Sequence, residues 1–233
     1  MLTFREAGDH LKAKRAVLTG LPVRPEILTA EREEALRDFG FDAERFTILI
    51  VGGSLGASSM NRAALTIMQS YQGTPVQFIW VTGKKDYEEI HHQAEIAGYL
   101  KAEEGFHLLL YPYLYEMEKA LAAADLVVCR CGATTLSEIE TVGVPAVLIP
   151  YPYASENHQE KNGMSLVKNG AGVMVLDREL TGSTLKEQIE SIRLDPAKQE
   201  RMRENMKKLA QPDSLKKIID EIERGIQAKK HRG

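Results

Sequence analysis

Residues 129–138 read Cys-Arg-Cys-Gly-Ala-Thr-Thr-Leu-Ser-Glu, a stretch that holds two thiols, three hydroxyls and an acid. A disulfide between Cys129 and Cys131 is disfavoured, because one intervening residue in an extended run gives strained geometry. Zinc asks for about four ligands, and no Cys-x-x-Cys or His-x-x-x-His spacing accompanies the pair. His91-His92 stand in a charged segment that reads as a solvated helix face. No metal or redox site is expected. The same stretch has a second chemistry. At Gly132 an apolar run gives way to small polar residues that open a helix, and the free N–H groups of such a helix attract phosphate. Glu138 follows Thr135 by three residues, the spacing of a capping box, which explains the acid without any ligand.

Two further loops carry polar chemistry. Gly52-Gly53-Ser54-Leu55-Gly56-Ala57 follows an apolar run and opens a helix; its glycines let backbone approach a ligand, and Ser54 offers either a helix cap or a hydroxyl for phosphate. The loop is neither Gly-x-Gly-x-x-Gly nor a P-loop. Residues 150–162, Pro-Tyr-Pro-Tyr-Ala-Ser-Glu-Asn-His-Gln-Glu-Lys-Asn, form an amide-rich loop suited to hydroxyl-rich ligands, with a Ser155 or Asn157 helix cap as the simpler account. His158 is a general base by type but lacks a carboxylate partner at a recognisable spacing.

The elements that must position these loops recur regularly. Short apolar runs at 15–20, 46–51, 76–83, 106–111, 125–129, 145–150 and 171–176 alternate with helical patterns near 29–39, 57–70, 85–97, 114–123, 135–142 and 157–169. Strands that are apolar throughout are covered on both faces, so the alternation predicts an α/β fold: a Rossmann-like, doubly wound parallel sheet. After Leu176 three charged amphipathic helices follow, with Pro196 and Pro212 near helix starts. Ligands of such sheets sit beyond the carboxyl ends of the strands, where all three polar loops fall. Two helix N-termini suit a diphosphate and one amide-rich loop suits a sugar, so a nucleotide or nucleotide-sugar site is expected.

The chain has 233 residues, 43% hydrophobic and 27% charged, with a formal net charge of −3. This composition supports a sizeable core and gives no long-range field for nucleic acid. No apolar run approaches the ~18 residues of a membrane span, and the first fifteen residues lack the apolar centre of a signal peptide. A cytoplasmic location is expected.

Thr-Gly-Leu-Pro-Val-Arg (19–24), Gly-Gly-Ser-Leu-Gly-Ala (52–57), the run 124–153 and Asn-His-Gln-Glu-Lys-Asn (157–162) together resemble the carboxyl-terminal half of the MurG family of bacterial peptidoglycan GlcNAc transferases. The four motifs match in order and spacing across nearly the whole chain. The resemblance implies the carboxyl-terminal half of a GT-B glycosyltransferase, which holds UDP-GlcNAc. The donor's sugar would pass to undecaprenyl-diphosphate-linked MurNAc-pentapeptide by an inverting reaction without a metal or other cofactor. It places Arg24, Gly53 and Ser54 near the diphosphate and ribose, the Leu114 backbone at uracil, and Gly132, Ala133, Thr134 and Thr135 around the α-phosphate. Glu138 then binds the ribose hydroxyls instead of capping a helix, and Gln159, with His158 beside it, reads the GlcNAc hydroxyls. The family has Ser where Cys131 stands here.

The resemblance further implies that residues 1–25 are a remnant or linker from a missing amino-terminal domain plus a first strand. Residues 26–195 are then the UDP-sugar domain and 196–233 the terminal helices. The acceptor site, the membrane-facing patch and the catalytic base belong to the missing domain, so no catalytic residue is assigned. The full enzyme is expected at the cytoplasmic face of the inner membrane, with that domain as partner and no nucleic acid. A UDP-GlcNAc 2-epimerase-like domain and a non-catalytic nucleotide-sugar module are the alternatives.

Overall fold

The computed structural model describes residues 1–4, 15–53, 56–101 and 105–230. Six strands, β1 (Phe46–Val51), β2 (Val76–Val81), β3 (Phe106–Tyr111), β4 (Leu126–Cys129), β5 (Ala146–Leu148) and β6 (Gly172–Met174), form one sheet in the order β3-β2-β1-β4-β5-β6. Every pairing is parallel, which demands a crossover between successive strands. The crossovers are α3 (Ser58–Met68), α4 (Tyr87–Ile96), α5 (Met117–Ala123), α6 (Ala133–Val142) and α7 (His158–Lys168). Before β1 lie α1 (Pro25–Thr29) and α2 (Arg32–Asp38). After β6 come α8 (Gly182–Arg193), α9 (Pro196–Leu209) and α10 (Ser214–Lys230).

Side chains alternate along each strand, so neighbouring residues enter different cores. Ile48, Ile50, Phe78, Trp80, Val128 and Val147 join Ala64, Ile67, Ile90, Leu185 and Ile189 on one face. Leu49, Val51, Ile79, Val81, Val127 and Leu148 join Leu36, Leu121, Leu136, Ile139 and Leu166 on the other. Both faces are dry, and this is why the strands are apolar throughout. At the amino end of the sheet Asp125 accepts the Thr47 N–H at 2.9 Å and pairs with Arg32 and Arg203, each at 2.9 Å, tying α2 and α9 to β1 and β4.

The register puts Tyr111, Val81, Val51, Cys129, Leu148 and Met174 in one row across the sheet. The loops that follow them therefore leave along a single edge. The strand order reverses between β1 and β4, which sets the glycine-rich loop beside the loop at 130–132.

Two expectations change. Residues 15–20 are no strand of the sheet: Leu18 makes one isolated parallel bridge with Leu2. The helix expected at 29–39 is two helices, because Ala30 and Glu31 are extended and Pro25 starts the first of them. On α10, Leu215, Ile219, Ile222 and Ile226 are exposed.

Candidate functional site

The loop after β4 is built by a buried arginine. Arg130 is 9% exposed, and its Nη1 donates to the Ile149 and Pro150 carbonyls at 3.2 and 3.1 Å, holding the end of β5. The same nitrogen lies 2.6 Å from Asp177 Oδ1, beyond β6, while Nη2 donates to Ser59 Oγ on α3 at 3.0 Å. Ser59 in turn donates to Asp177 Oδ1 at 2.7 Å. One planar guanidinium thus fastens four carboxyl-edge segments, a geometry that a lysine cannot reproduce.

A second fastening comes from α7. Gln159 Oε1 accepts the backbone N–H of Cys131 at 3.1 Å and of Tyr151 at 3.0 Å, and Asn162 Nδ2 donates to the Cys131 carbonyl at 3.3 Å. Both Gln159 bonds use its carbonyl oxygen, so its NH2 group is spare among the described residues. His158 begins α7, is exposed, and its Nδ1 faces the Ser155 carbonyl at 2.8 Å; a carbonyl partner requires the proton on Nδ1 and leaves Nε2 as the acceptor of the neutral ring. Glu156 and Asn157, just before it, hold φ of 51° and 56°, a strained turn for residues with side chains.

These fastenings aim the start of α6. Gly132 is its N-cap, with extended backbone and no side-chain cap. Leu136 N–H is the first to bond back, to the Gly132 carbonyl at 3.0 Å. The N–H groups of Ala133, Thr134 and Thr135 consequently have no acceptor within the helix. Among the described residues a Cβ placed on Gly132 would meet nothing nearer than Thr135 Oγ1 at 4.0 Å, so none of them crowds the helix start at Gly132.

The capping-box account of Glu138 fails, because α6 begins at Ala133 and Glu138 lies in its interior. The residue is 8% exposed, and its carboxylate faces Arg24, whose Nε is 3.5 Å from Oε1. Burial pushes the Glu138 carboxyl above its ordinary value; Arg24 opposes that and the charge of Glu118 adds to it. Arg24 Nη1 is also 3.3 Å from Glu118 Oε2, on α5.

In the glycine-rich loop Gly53 has φ +85°, and among the described residues nothing lies within 4 Å of a Cβ added there. Gly56 has φ +78° and abuts the Thr82 carbonyl, so β1 and β2 are joined there by backbone contact. Ser54 lies outside the described residues. Leu114 packs half-buried on the core between Tyr113 and Tyr115, whose rings stand edge to face at 4.8 Å. Leu114 and Gly53 follow β3 and β1, so all the predicted positions that are described, apart from Arg24 and Glu138, lie in or next to loops of one sheet edge. Arg24 lies beside Glu138, on the helix that the 130–132 loop opens. A cavity lined by Tyr151, Asn157, Glu160, Asp177 and Arg178 opens beside the same loops.

The cysteines serve packing. Cys129 and Cys131 are free thiols, both 0% exposed; burial pushes Cys129 up to about 12 and raises Cys131 as well. Sequence reasoning missed Arg130, Asp177, Ser59, Asn162 and Glu118. Arg130 carried a signal, an ionisable residue directly after a buried apolar strand, and Asn162 lies in the amide-rich loop at 150–162.

Residues 47–220 match the Glycosyltransferase family 28 C-terminal domain. The chain is 42% identical over 225 residues to the UDP-N-acetylglucosamine--N-acetylmuramyl-(pentapeptide) pyrophosphoryl-undecaprenol N-acetylglucosamine transferase of Desulforudis audaxviator, covering 96% of this chain and 60% of that relative. Its counterpart in Halalkalibacterium halodurans is 37% identical over 217 residues, covering 93% of this chain and 58% of the relative. The chain therefore spans about three fifths of the length of these relatives. Among solved structures, MurG of Acinetobacter baumannii superposes with a TM-score of 0.73 at 26% identity, over 92% of this chain and 58% of that one. A putative UDP-N-acetylglucosamine 2-epimerase from Listeria monocytogenes reaches 0.63 at 13% identity over 97% of this chain and 59% of that one, a likeness of fold alone. With the strand order, the open α6 N-terminus and a family match that spans β1 to α10, the chain belongs to glycosyltransferase family 28, whose carboxyl-terminal domain it carries.

Proposed function

We propose that this chain is the donor-binding part of an N-acetylglucosaminyltransferase that moves GlcNAc from UDP-GlcNAc to undecaprenyl-diphosphate-linked MurNAc-pentapeptide, in the synthesis of peptidoglycan. The observation that carries the reading is the uncapped, open N-terminus of α6, set at the reversal of strand order and braced by Arg130 and Gln159. The names of the relatives support the choice of sugar and acceptor.

In this reading the N–H groups of Ala133, Thr134 and Thr135 hold the α-phosphate, with Gly132 leaving room for close approach. Gly53 lies toward the diphosphate, the role of Ser54 there rests on the sequence motif alone, Arg24 supplies its counter-charge, and Glu138 accepts the ribose hydroxyls. The Leu114 backbone receives uracil. The spare NH2 of Gln159 donates to a GlcNAc hydroxyl, next to His158. The acceptor 4-hydroxyl attacks the anomeric carbon as the bond to the β-phosphate oxygen breaks, and UDP leaves with inversion. Charge grows on the diphosphate during this step, so fixed N–H dipoles and a cation there stabilise the transition state more than the bound donor. No metal is assigned to the step. The base that takes the acceptor proton, the lipid-linked acceptor and the contact with the cytoplasmic membrane face are assigned to a separate amino-terminal part. No helix among the described residues is long and apolar enough to cross a membrane.

Calorimetry with UDP-GlcNAc and UDP-glucose tests the binding half. Tighter binding of UDP-GlcNAc is expected, and equal affinity or none would overturn it. Adding an amino-terminal acceptor part in trans tests the catalytic half: transfer is expected, while binding without transfer would favour a non-catalytic nucleotide-sugar module.

A further inference from the structure

Arg24 stands between two carboxylates. Its Nη1 is 3.3 Å from Glu118 Oε2 and its Nε is 3.5 Å from Glu138 Oε1, while its own side chain is 46% exposed against 14% and 11% for the acids. The acids are fixed in helices α5 and α6; the arginine, on the loop before α1, is the member with room to move. Glu118 Oε2 is buried and makes no hydrogen bond among the described residues. A buried carboxylate oxygen that lies beside a cation yet forms no hydrogen bond is a rare arrangement that calls for a reason. The neighbouring cation does not relieve it, because Lys119 is held at 2.7 Å by both Asp38 and Glu116. One guanidinium therefore faces two acids, so that among the described side chains of this cluster the carboxyls outnumber the cation by one.

Excess negative charge opposes an anionic ligand, and a guanidinium already shared by two acids is less available to a diphosphate. We propose that Glu118 sets the affinity of the site for a nucleoside diphosphate, by holding Arg24 against Glu138 so that ligand binding requires Arg24 to leave Glu118. The proposal rests on the reading of this site as a nucleotide-sugar site. Glu118 acts through Arg24 and is a positioning residue. Its carboxylate lowers the occupancy of the site by product as well as by donor, since UDP and UDP-GlcNAc share the diphosphate.

The test is calorimetry of the full chain with uridine, UDP and UDP-GlcNAc, for the wild type, Glu118→Gln, Arg24→Ala and the double variant. Glu118→Gln is expected to tighten UDP and UDP-GlcNAc by about fivefold, the equivalent of ~1 kcal/mol for a half-exposed ion pair. Uridine, which lacks phosphate, is expected to bind unchanged, and the gain is expected to vanish in the Arg24→Ala background. The proposal is overturned if Glu118→Gln leaves UDP affinity unchanged or weaker, if uridine gains equally, or if the gain persists without Arg24. Glu118→Ala carries the same expectation should Glu118→Gln not fold; unfolding of both would show a structural carboxylate and overturn it too. A wild type that binds none of the three ligands fails differently, because it removes the nucleotide-sugar reading itself and the proposal with it.

Discussion

Arg130 Nη1 and Asp177 Oδ1 stand 2.6 Å apart, and they join the loop that opens α6 to the segment beyond β6. Their side chains are 11% and 18% exposed, so water screens the pair little. Asp177→Asn leaves the guanidinium inside without its counter-charge and weakens the hold of Ser59, which donates to the same oxygen. The expected loss in chemical denaturation is about 2 kcal/mol, below the ~3–5 kcal/mol of a fully buried pair broken on one side. Arg130→Lys is expected to lose a similar amount, because one ammonium cannot serve the Ile149 and Pro150 carbonyls together with Ser59 and Asp177. The double variant should fall well short of the sum, since both changes break the same contact.

Glu138 gives the site a pH dependence. Its folded-state value is raised by burial, against Arg24 and with Glu118, so the folded protein holds that proton more tightly than the unfolded chain does. As pH rises from the ordinary carboxyl range through the raised value, the folded state must ionise a buried acid, and this contribution to stability is lost. Glu138→Gln removes the loss, so its melting temperature should gain on the wild type as pH rises through that window. Ligand binding runs the other way. If the ionised carboxylate accepts ribose hydroxyls, UDP affinity falls as pH drops through the raised value. Titration calorimetry across that range should show the fall in the wild type and not in Glu138→Gln, which binds weakly throughout.

The sheet was legible because both of its faces are dry: a strand such as Phe46–Val51 has no polar side to disguise it. Residues 15–20 look the same locally, yet among the described residues Leu18 pairs only with Leu2, in an isolated bridge outside the sheet. The polar loops were legible from glycine and amide content. Their bracing was not, because Ser59 lies 71 residues before Arg130 and meets it only when β1 and β4 become neighbours. Glu138 shows how spacing misleads. Thr135 and Glu138 fit a capping box, but the helix starts earlier, at Ala133, where three N–H groups have no acceptor within the helix. The structure sets Arg24 beside Glu138, a contact that no local pattern announces, and nothing in the local pattern announced Glu118.

The thiols supply a simple check of the packing around Cys131. Both cysteines are fully covered and both thiols are raised by burial, so the thiolate that reacts is scarce at neutral pH. Native protein should show no fast reaction with Ellman's reagent, and denatured protein should release the equivalent of the two cysteines in the sequence. Cys131 Sγ would lie 2.8 Å from a Cβ added at Gly163, on α7. Gly163→Ala is therefore expected to push α7 away from the 130–132 loop. Partial reactivity of one thiol in that variant would register the displacement.

Gly56 and Gly40 separate backbone strain from collision. Both have positive φ, +78° and +65°, so alanine at either must adopt the left-handed conformation. At Gly40 an added Cβ meets nothing within 4 Å, and Gly40→Ala should lose only that strain, about 1 kcal/mol. At Gly56 the Cβ would run into the Thr82 carbonyl oxygen and lie 3.1 Å from Gly83 Cα. Thr82 cannot yield freely, because its carbonyl also accepts from Asn61 Nδ2 at 2.9 Å and its N–H donates to the Tyr111 carbonyl at 3.0 Å. Gly56→Ala should lose roughly 2–4 kcal/mol through strain and overpacking together. It should also displace the glycine-rich loop at Gly53, and so weaken UDP-GlcNAc binding in protein that remains folded. Equal losses at the two glycines in urea denaturation would show that the β1 and β2 loops are not in contact, and that the glycine-rich loop is positioned by something other than Thr82.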